Sequence, residues 1–264
     1  MSQKCGGALE QPFLVLRDTA KIARMEAPPK TAAKTPSACP LCARPEPLHF
    51  HSMEPPIPWH LYAPDVSRDS GLRFFRCEGC HLIWKDPSIR PTPEQERRHY
   101  EKHNNDLNDP GYRAHLMALL SPVAKVVREG ARGLDYGSGP APSVEPLARE
   151  LKLDCCSFDP FFAPNYELLE DRAYDFILCC EVVEHFREPR REFSKLTGLL
   201  KPGGVLGIKT QTPPEDFCAW WYHRDPTHVS FFSAHTFQAI AGLFGLVAAP
   251  EYSGVVILRY PDSC

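Results

Sequence analysis

The sequence predicts an α/β fold: a mostly parallel sheet with helices on both faces, preceded by a small metal-organised module. Three observations predict it. The stretch Gly133-Leu134-Asp135-Tyr136-Gly137-Ser138-Gly139-Pro140-Ala141-Pro142 reads as a short strand delivered into a glycine turn. Asp159, 22 residues after Gly137, ends a second apolar run over residues 153–158. Well before both, Cys39, Cys42, Cys77 and Cys80 stand as two CxxC pairs.

Residues 1–36 mix Lys, Ala, Pro and Thr around one short apolar cluster and read as a disordered leader. Their basic, Ala-rich character suits an organelle-targeting peptide, but Glu10, Asp18 and Glu26 count against it. Residues 37–90 form the module. Each CxxC pair turns both sulfurs toward one ion, and four thiolates close a tetrahedral zinc site with no open position for water, so the zinc is structural. The 34 residues between the pairs loop out, in keeping with Pro55, Pro56, Pro58 and Pro64. Phe74-Phe75-Arg76 and Leu82-Ile83-Trp84 flank the second pair as short strands, completing a zinc-ribbon-like unit. His49, His51 and His81 rank behind the cysteines as ligands, and the unit either supports the fold or reads a substrate.

Residues 91–130 form a helical lid or connector. One helix opens at Thr92-Pro93 and a second follows Pro110-Gly111, with Leu116, Leu119, Leu120, Val123 and Val127 spaced for one buried face. Tyr100, His103 and Asn104 border a site if this is a lid; a solvated connector is the alternative.

Residues 131–264 carry the main sheet. Ser143 is the expected N-cap of a helix over Val144, Leu147 and Leu151. A dinucleotide loop would place a third glycine where Pro142 stands, so the turn suits a ligand without a pyrophosphate, such as an adenosine joined to an amino acid. Residues 174–181 read as a buried strand. Phe193, Leu196 and Leu200 mark a helix that leads through a turn over residues 200–204 into a strand over 205–209. The segment 211–232 gathers Phe217, Trp220, Trp221, Tyr222, Phe231 and Phe232 around Asp225 and His228, and is the candidate substrate wall. Its alternative role is to finish the core. Ser233 caps a helix that Gly245 ends, and residues 255–258 supply an antiparallel strand at the sheet edge.

The LDYGSG loop, the FDP turn, YDFILCCEVVEH and LKPGG, in that order, resemble the class I S-adenosylmethionine-dependent methyltransferases over roughly residues 131–260. The resemblance implies a Rossmann-like sheet with the cofactor across the ends of its first, second and fourth strands. It further implies that Asp135 and the backbone of Tyr136, Gly137, Ser138 and Gly139 hold the methionine end. Asp159 and the adjoining Pro160 take the ribose, and Glu181 borders the methyl donor. One departure is plain: only 14 residues separate Asp159 from Tyr174, so the usual second helix and third strand are abbreviated.

Methyl transfer from a sulfonium is an in-line displacement that needs alignment and, for many acceptors, removal of a proton. His228 is the first candidate base and His185 the second; Tyr100, His103, Asn104, Trp221, Tyr222 and Asp225 are candidate substrate residues. A formal charge of −3 gives no global bias toward nucleic acid, and no apolar run approaches a membrane span. The expected partner is therefore a small-molecule acceptor, in a cytoplasmic protein without a membrane partner. An RNA base or protein methyltransferase that reads its substrate through the zinc unit is the rival. A noncatalytic cofactor-binding protein is the third reading.

Overall fold

The computed structural model describes residues 36–53, 72–102, 105–248 and 254–262. The leader up to residue 35, the proline-rich loop with Pro55, Pro56, Pro58 and Pro64, and the candidates His103 and Asn104 lie outside the described residues. In chain order the strands are β1 (Leu48–Met53), β2 (Leu72–Arg76), β3 (Ile83–Lys85), β4 (Arg132–Tyr136), β5 (Asp154–Phe158), β6 (Tyr174–Cys180), β7 (Leu200–Lys209), β8 (Ser230–Phe231), β9 (Val247–Ala248) and β10 (Val255–Arg259). The helices are α1 (Pro93–Tyr100), α2 (Pro110–Ala124), α3 (Val144–Glu150), α4 (Pro189–Leu199) and α5 (Ala234–Phe244).

Six strands make the larger sheet in the order β5-β4-β6-β7-β10-β9. The four from β5 to β7 run parallel, and β10 and β9 are antiparallel. Alternation sorts the side chains. Phe176, Leu178, Val205 and Ile257 pack with α2 and α3, whereas Ile177, Cys179, Leu206, Ile208 and Leu258 share a cluster with α4 and α5. Helices thus cover both faces, as strands buried on both sides require. β5 ends the sheet on its side, and only a one-turn helix, Tyr166–Leu168, interrupts the passage to β6. This is the abbreviation that the short 159–174 spacing dictates.

Local chemistry explains the helices that border the site. Thr92 and Gln95 exchange a capping box at the start of α1, with Pro93 where an amide would lack a partner. Asp109 accepts the Gly111 and Tyr112 amides at the start of α2. Leu116, Leu119, Leu120 and Val123 are buried, each apolar side chain contributing about 1.5–3 kcal/mol. At Gly207 a Cβ would lie 2.6 Å from Val123 and 3.2 Å from Leu119, so glycine lets α2 settle directly on β7.

Three expectations are corrected. Ser143 makes no cap bond; its backbone is already helical, and its hydroxyl donates to the Asn105 carbonyl at 3.4 Å. Residues 200–204 are not a free turn but the irregular start of β7, where Leu200 pairs with Tyr174. The final strand β10 is not the edge, because β9 pairs along its outer side.

The second sheet is antiparallel, in the order β1-β2-β3-β8. Its fourth strand comes from the far end of the sequence: Ile83 pairs with Phe231 and Trp84 with Ser230. One face buries Leu72, Phe74 and Ile83 with Phe217, Tyr222 and Phe231. On the other face Phe75 and Trp84 join the two cysteine turns to the cluster containing Phe232 and Phe237. No helix among the described residues is long and apolar enough to cross a membrane.

Candidate active site

A cavity of about 630 Å³ opens at the carboxyl ends of β4, β5 and β6. The glycine loop forms its floor. Gly137 sits at φ +84, and a Cβ there would come within 2.7 Å of Val182, so both its conformation and its neighbour demand glycine. The amides of Gly137 and Ser138 donate to the Phe158 carbonyl at 2.7 and 3.1 Å. Asp159 Oδ2 accepts from the Gly139 amide at 2.9 Å, and its Oδ1 accepts from Phe161 and Phe162 at 2.8 and 3.0 Å. The second strand's carboxylate is therefore tied to the loop it faces.

Asp135 is buried at the cavity floor. Burial, and then the charges of Glu145 and Asp159, push its carboxyl up to about 7. Tyr136 stacks on Phe158 at 5.3 Å, and its hydroxyl donates to Glu192 at 2.6 Å. Lys195 closes this corner with bonds to Tyr136 and Glu192.

The opposite wall is polar. Glu181, at φ +53, turns out of the end of β6 in a conformation that costs a non-glycine residue free energy. Its carboxylate accepts from Lys209 at 2.7 Å and from the Tyr222 hydroxyl at 2.8 Å. His185 Nδ1 lies 3.0 Å from the Thr227 carbonyl and 3.1 Å from the Tyr100 hydroxyl. His228 Nδ1 donates to the Tyr222 carbonyl at 2.8 Å, which leaves Nε2 as the bare nitrogen. The two imidazole centroids are 5.0 Å apart.

Asp135, Tyr136, Gly137, Ser138, Gly139, Asp159, Pro160, Glu181, Tyr100, His185 and His228 all line this one cavity. Trp221, Tyr222 and Asp225 do not. Trp221 is 62% exposed on the surface. Tyr222 stands behind Glu181, and Asp225 accepts from His99 and Thr227. Phe217, Trp220, Tyr222 and Phe231 pack over one face of the β1-β2-β3 sheet, and of the segment 211–232 only His228 lines the cavity. His228 also lacks the basicity expected of it: burial, then the adjacent His185, push it down to about 3. Sequence reasoning missed Tyr112 and His115, which α2 brings over the cavity, and Glu96 and Arg187, joined at 2.7 Å on its rim. Tyr112 and His115 are three apart on one helix face, a signal that the apolar stripe of α2 obscured.

The four cysteines form a second centre. Cys39 and Cys80 sulfurs are 3.5 Å apart, as are those of Cys42 and Cys77, and all four lie within 4.8 Å of one another. The two turns repeat one another. Ala43 and His81, each directly after the second cysteine of its pair, sit at φ +61 and +57 and return their amides to the Cys39 and Cys77 carbonyls. A tetrahedral ion with bonds of about 2.3 Å sets sulfurs roughly 3.8 Å apart, which fits this group. His49, His51 and His81 are not part of it.

A parallel sheet ending in a glycine loop and an acidic residue, with a cavity across the carboxyl ends of β4, β5 and β6, is the arrangement of the class I S-adenosylmethionine-dependent methyltransferases. The methyltransferase domain family matches residues 111–249, just over half of the chain, and the chain belongs to that family. A comparison with curated proteins found no match. Among solved structures, it is similar to 1,6-didemethyltoxoflavin-N1-methyltransferase of Burkholderia thailandensis, at 12% identity over 72% of this chain and 96% of that one, with a TM-score of 0.44. A chain from the complex between the Haloferax volcanii Trm112 methyltransferase activator and its methyltransferase gives 13%, 60%, 95% and 0.43. Phosphoethanolamine N-methyltransferase 2 of Haemonchus contortus gives 19%, 58%, 41% and 0.41, so this chain spans less than half of that protein.

Proposed function

We propose that this protein methylates a small-molecule acceptor, with S-adenosylmethionine lying along the glycine loop and the acceptor between α1, α2 and the two histidines. The carrying observation is that the Asp159-bound loop and the polar wall of Glu181, His185 and His228 face one another across a single cavity. When bound, S-adenosylmethionine supplies an electrophilic methyl group on a sulfonium. The backbone from Tyr136 to Gly139 borders the methionine end, Asp135 faces the ammonium, and Asp159 with Pro160 borders the ribose. His228 presents an unprotonated Nε2 that accepts a hydrogen bond from the acceptor and orients it; Tyr100 and His185 fix the adjoining wall.

A small acceptor suits the charge of the site. Among the described residues the cationic side chains of the cavity lining, Arg187 and Lys195, are paired with Glu96 and Glu192, so the cavity offers a nucleic-acid backbone no unpaired Lys or Arg there. Zinc on Cys39, Cys42, Cys77 and Cys80 holds the two turns together and takes no part in the chemistry. The test is calorimetric titration with S-adenosylmethionine and its demethylated product, with NAD as control, followed by labelled methyl transfer to extract fractions. Label in a low-mass fraction, insensitive to nuclease and protease, is expected. Label in RNA or protein would overturn the acceptor class, and absence of cofactor binding would overturn the whole reading.

A further inference from the structure

Behind the cavity wall the Tyr222 hydroxyl lies between two carboxylates. It contacts Glu181 Oε2 at 2.8 Å, Glu184 Oε1 at short range, and Thr210 Oγ1 at 3.3 Å. Thr210 donates its hydrogen to Glu184 Oε2 at 2.9 Å. Tyrosine has one hydroxyl hydrogen, so it satisfies one carboxylate only. If both acids were ionised, the other carboxylate would face the phenol oxygen lone pair to lone pair. One added proton removes the conflict: a protonated Glu184 donates to Tyr222, and Tyr222 donates to Glu181.

The surroundings decide which acid carries it. Glu181 touches the Lys209 ammonium at 2.7 Å, a contact that Glu184 lacks. Glu184 is fully buried, and its hydrogen-bonding neighbours are hydroxyls. We propose that Glu181 and Glu184, joined through Tyr222, share one proton that resides on Glu184 at rest, and that this pair receives the proton given up by the methyl acceptor.

Burial and the Glu181 charge push Glu184 up to about 8, in agreement with the hydrogen count. Other groups also face the pair. Lys209 of β7 and His115 of α2 lie against Glu181, with His115 at 3.8 Å. The ring nitrogens of His185 and His228 come within 4.8 Å of a Glu184 oxygen. Tyr100 of α1 and the thiols of Cys179 and Cys180 on β6 feel its charge.

The use of the pair in turnover rests on the methyl-transfer reading; the shared proton does not. In transfer, the acceptor's bond to hydrogen breaks and its electron pair forms the new bond to methyl. The carbon–sulfur bond breaks with its pair remaining on sulfur, and the proton lodges on the Glu181 carboxylate. The pair then passes from one negative charge to none. Glu181 meets the cavity; Tyr222 and Glu184 are positioning residues that act through it.

Infrared titration in deuterated buffer tests the proton without any substrate. In an Asp135→Asn background, which removes the other raised carboxyl, a protonated-carboxyl carbonyl band should persist at neutral pH, fade near pH 8 and be missing once Glu184→Gln is added, whose amide supplies the same hydrogen to Tyr222. If that variant does not fold, Tyr222→Phe must shift the band. In turnover, Glu184→Gln should lower kcat with cofactor affinity unchanged, and lose an alkaline limb that the wild type has. Tyr222→Phe should lower kcat roughly tenfold with cofactor affinity unchanged. Absence of the band, or an unchanged pH profile in Glu184→Gln, would overturn the proposal; a band without methyl transfer would overturn only its use.

Discussion

The Gly139 amide and the Asp159 carboxylate meet at 2.9 Å, so the loop after β4 and the end of β5 form one piece. The same carboxylate holds the amides of Phe161 and Phe162, which begin the shortened passage to β6. Asp159→Ala removes three acceptor bonds at once while leaving the sheet register intact. A hydrogen bond to a charged group contributes about 1.5–3 kcal/mol, so loss of loop order and of the ribose contact together should weaken S-adenosylmethionine binding by roughly a hundredfold. Calorimetry on a variant of unchanged circular dichroism checks this. Unchanged affinity would remove Asp159 from the cofactor site.

With Asp135 facing the cofactor's ammonium as proposed, cofactor affinity should depend on pH. The folded Asp135 carboxyl is raised to about 7 by burial, above its ordinary 3.8. A raised acid favours its protonated form in the fold, so its contribution to stability is full below about pH 4 and is lost as pH rises through 7. Binding an ammonium favours the charged form, so affinity should move the other way. It should weaken as pH falls below 7, by up to tenfold per unit, with proton release on binding. Calorimetry at pH 6 and 8, in buffers of different ionisation enthalpy, measures both effects. In Asp135→Asn the release and this part of the pH dependence should vanish; a wild-type affinity flat over this range would rule out the role.

The parts of this site differ in how plainly the sequence announces them. Leu134, residues 153–158 and residues 174–180 are buried strands with apolar runs, and the glycine turn and Asp159 punctuate them, so pattern alone located the floor of the cavity. The polar wall obeys no local pattern. Glu184 stands next to the candidate His185 in the sequence, yet its carboxylate is buried against Thr210 and Tyr222, residues that only the fold brings to it. The aromatic segment misleads for a related reason. β8 is two residues long, and its partner β3 lies far earlier in the chain, so nothing nearby shows that these aromatics cover a second sheet.

That second sheet links the cysteine centre to the cavity. The second cysteine turn leads directly into β3, β3 pairs with β8, and the Lys85 amide donates to the Val229 carbonyl at 2.9 Å. Lys85 Nζ donates to the Asp225 carbonyl at 2.7 Å, and the Val229 amide donates to the Glu184 backbone carbonyl at 2.8 Å. His228 is thus held between two residues that β3 anchors, while the glycine loop and Asp159 belong to the larger sheet. Removing the zinc proposed for the four cysteines, by chelation or by Cys77→Ser, should release β3 and displace His228 without loosening the loop. A shift of about 1 Å in such a wall costs on the order of a hundredfold in rate. Turnover should therefore fall by about that factor while S-adenosylmethionine still binds, with metal analysis and thiol titration reporting the loss of one zinc. Equal loss of cofactor affinity would mean that the cysteine centre supports the whole fold rather than the wall; full activity without metal would detach it from the site altogether.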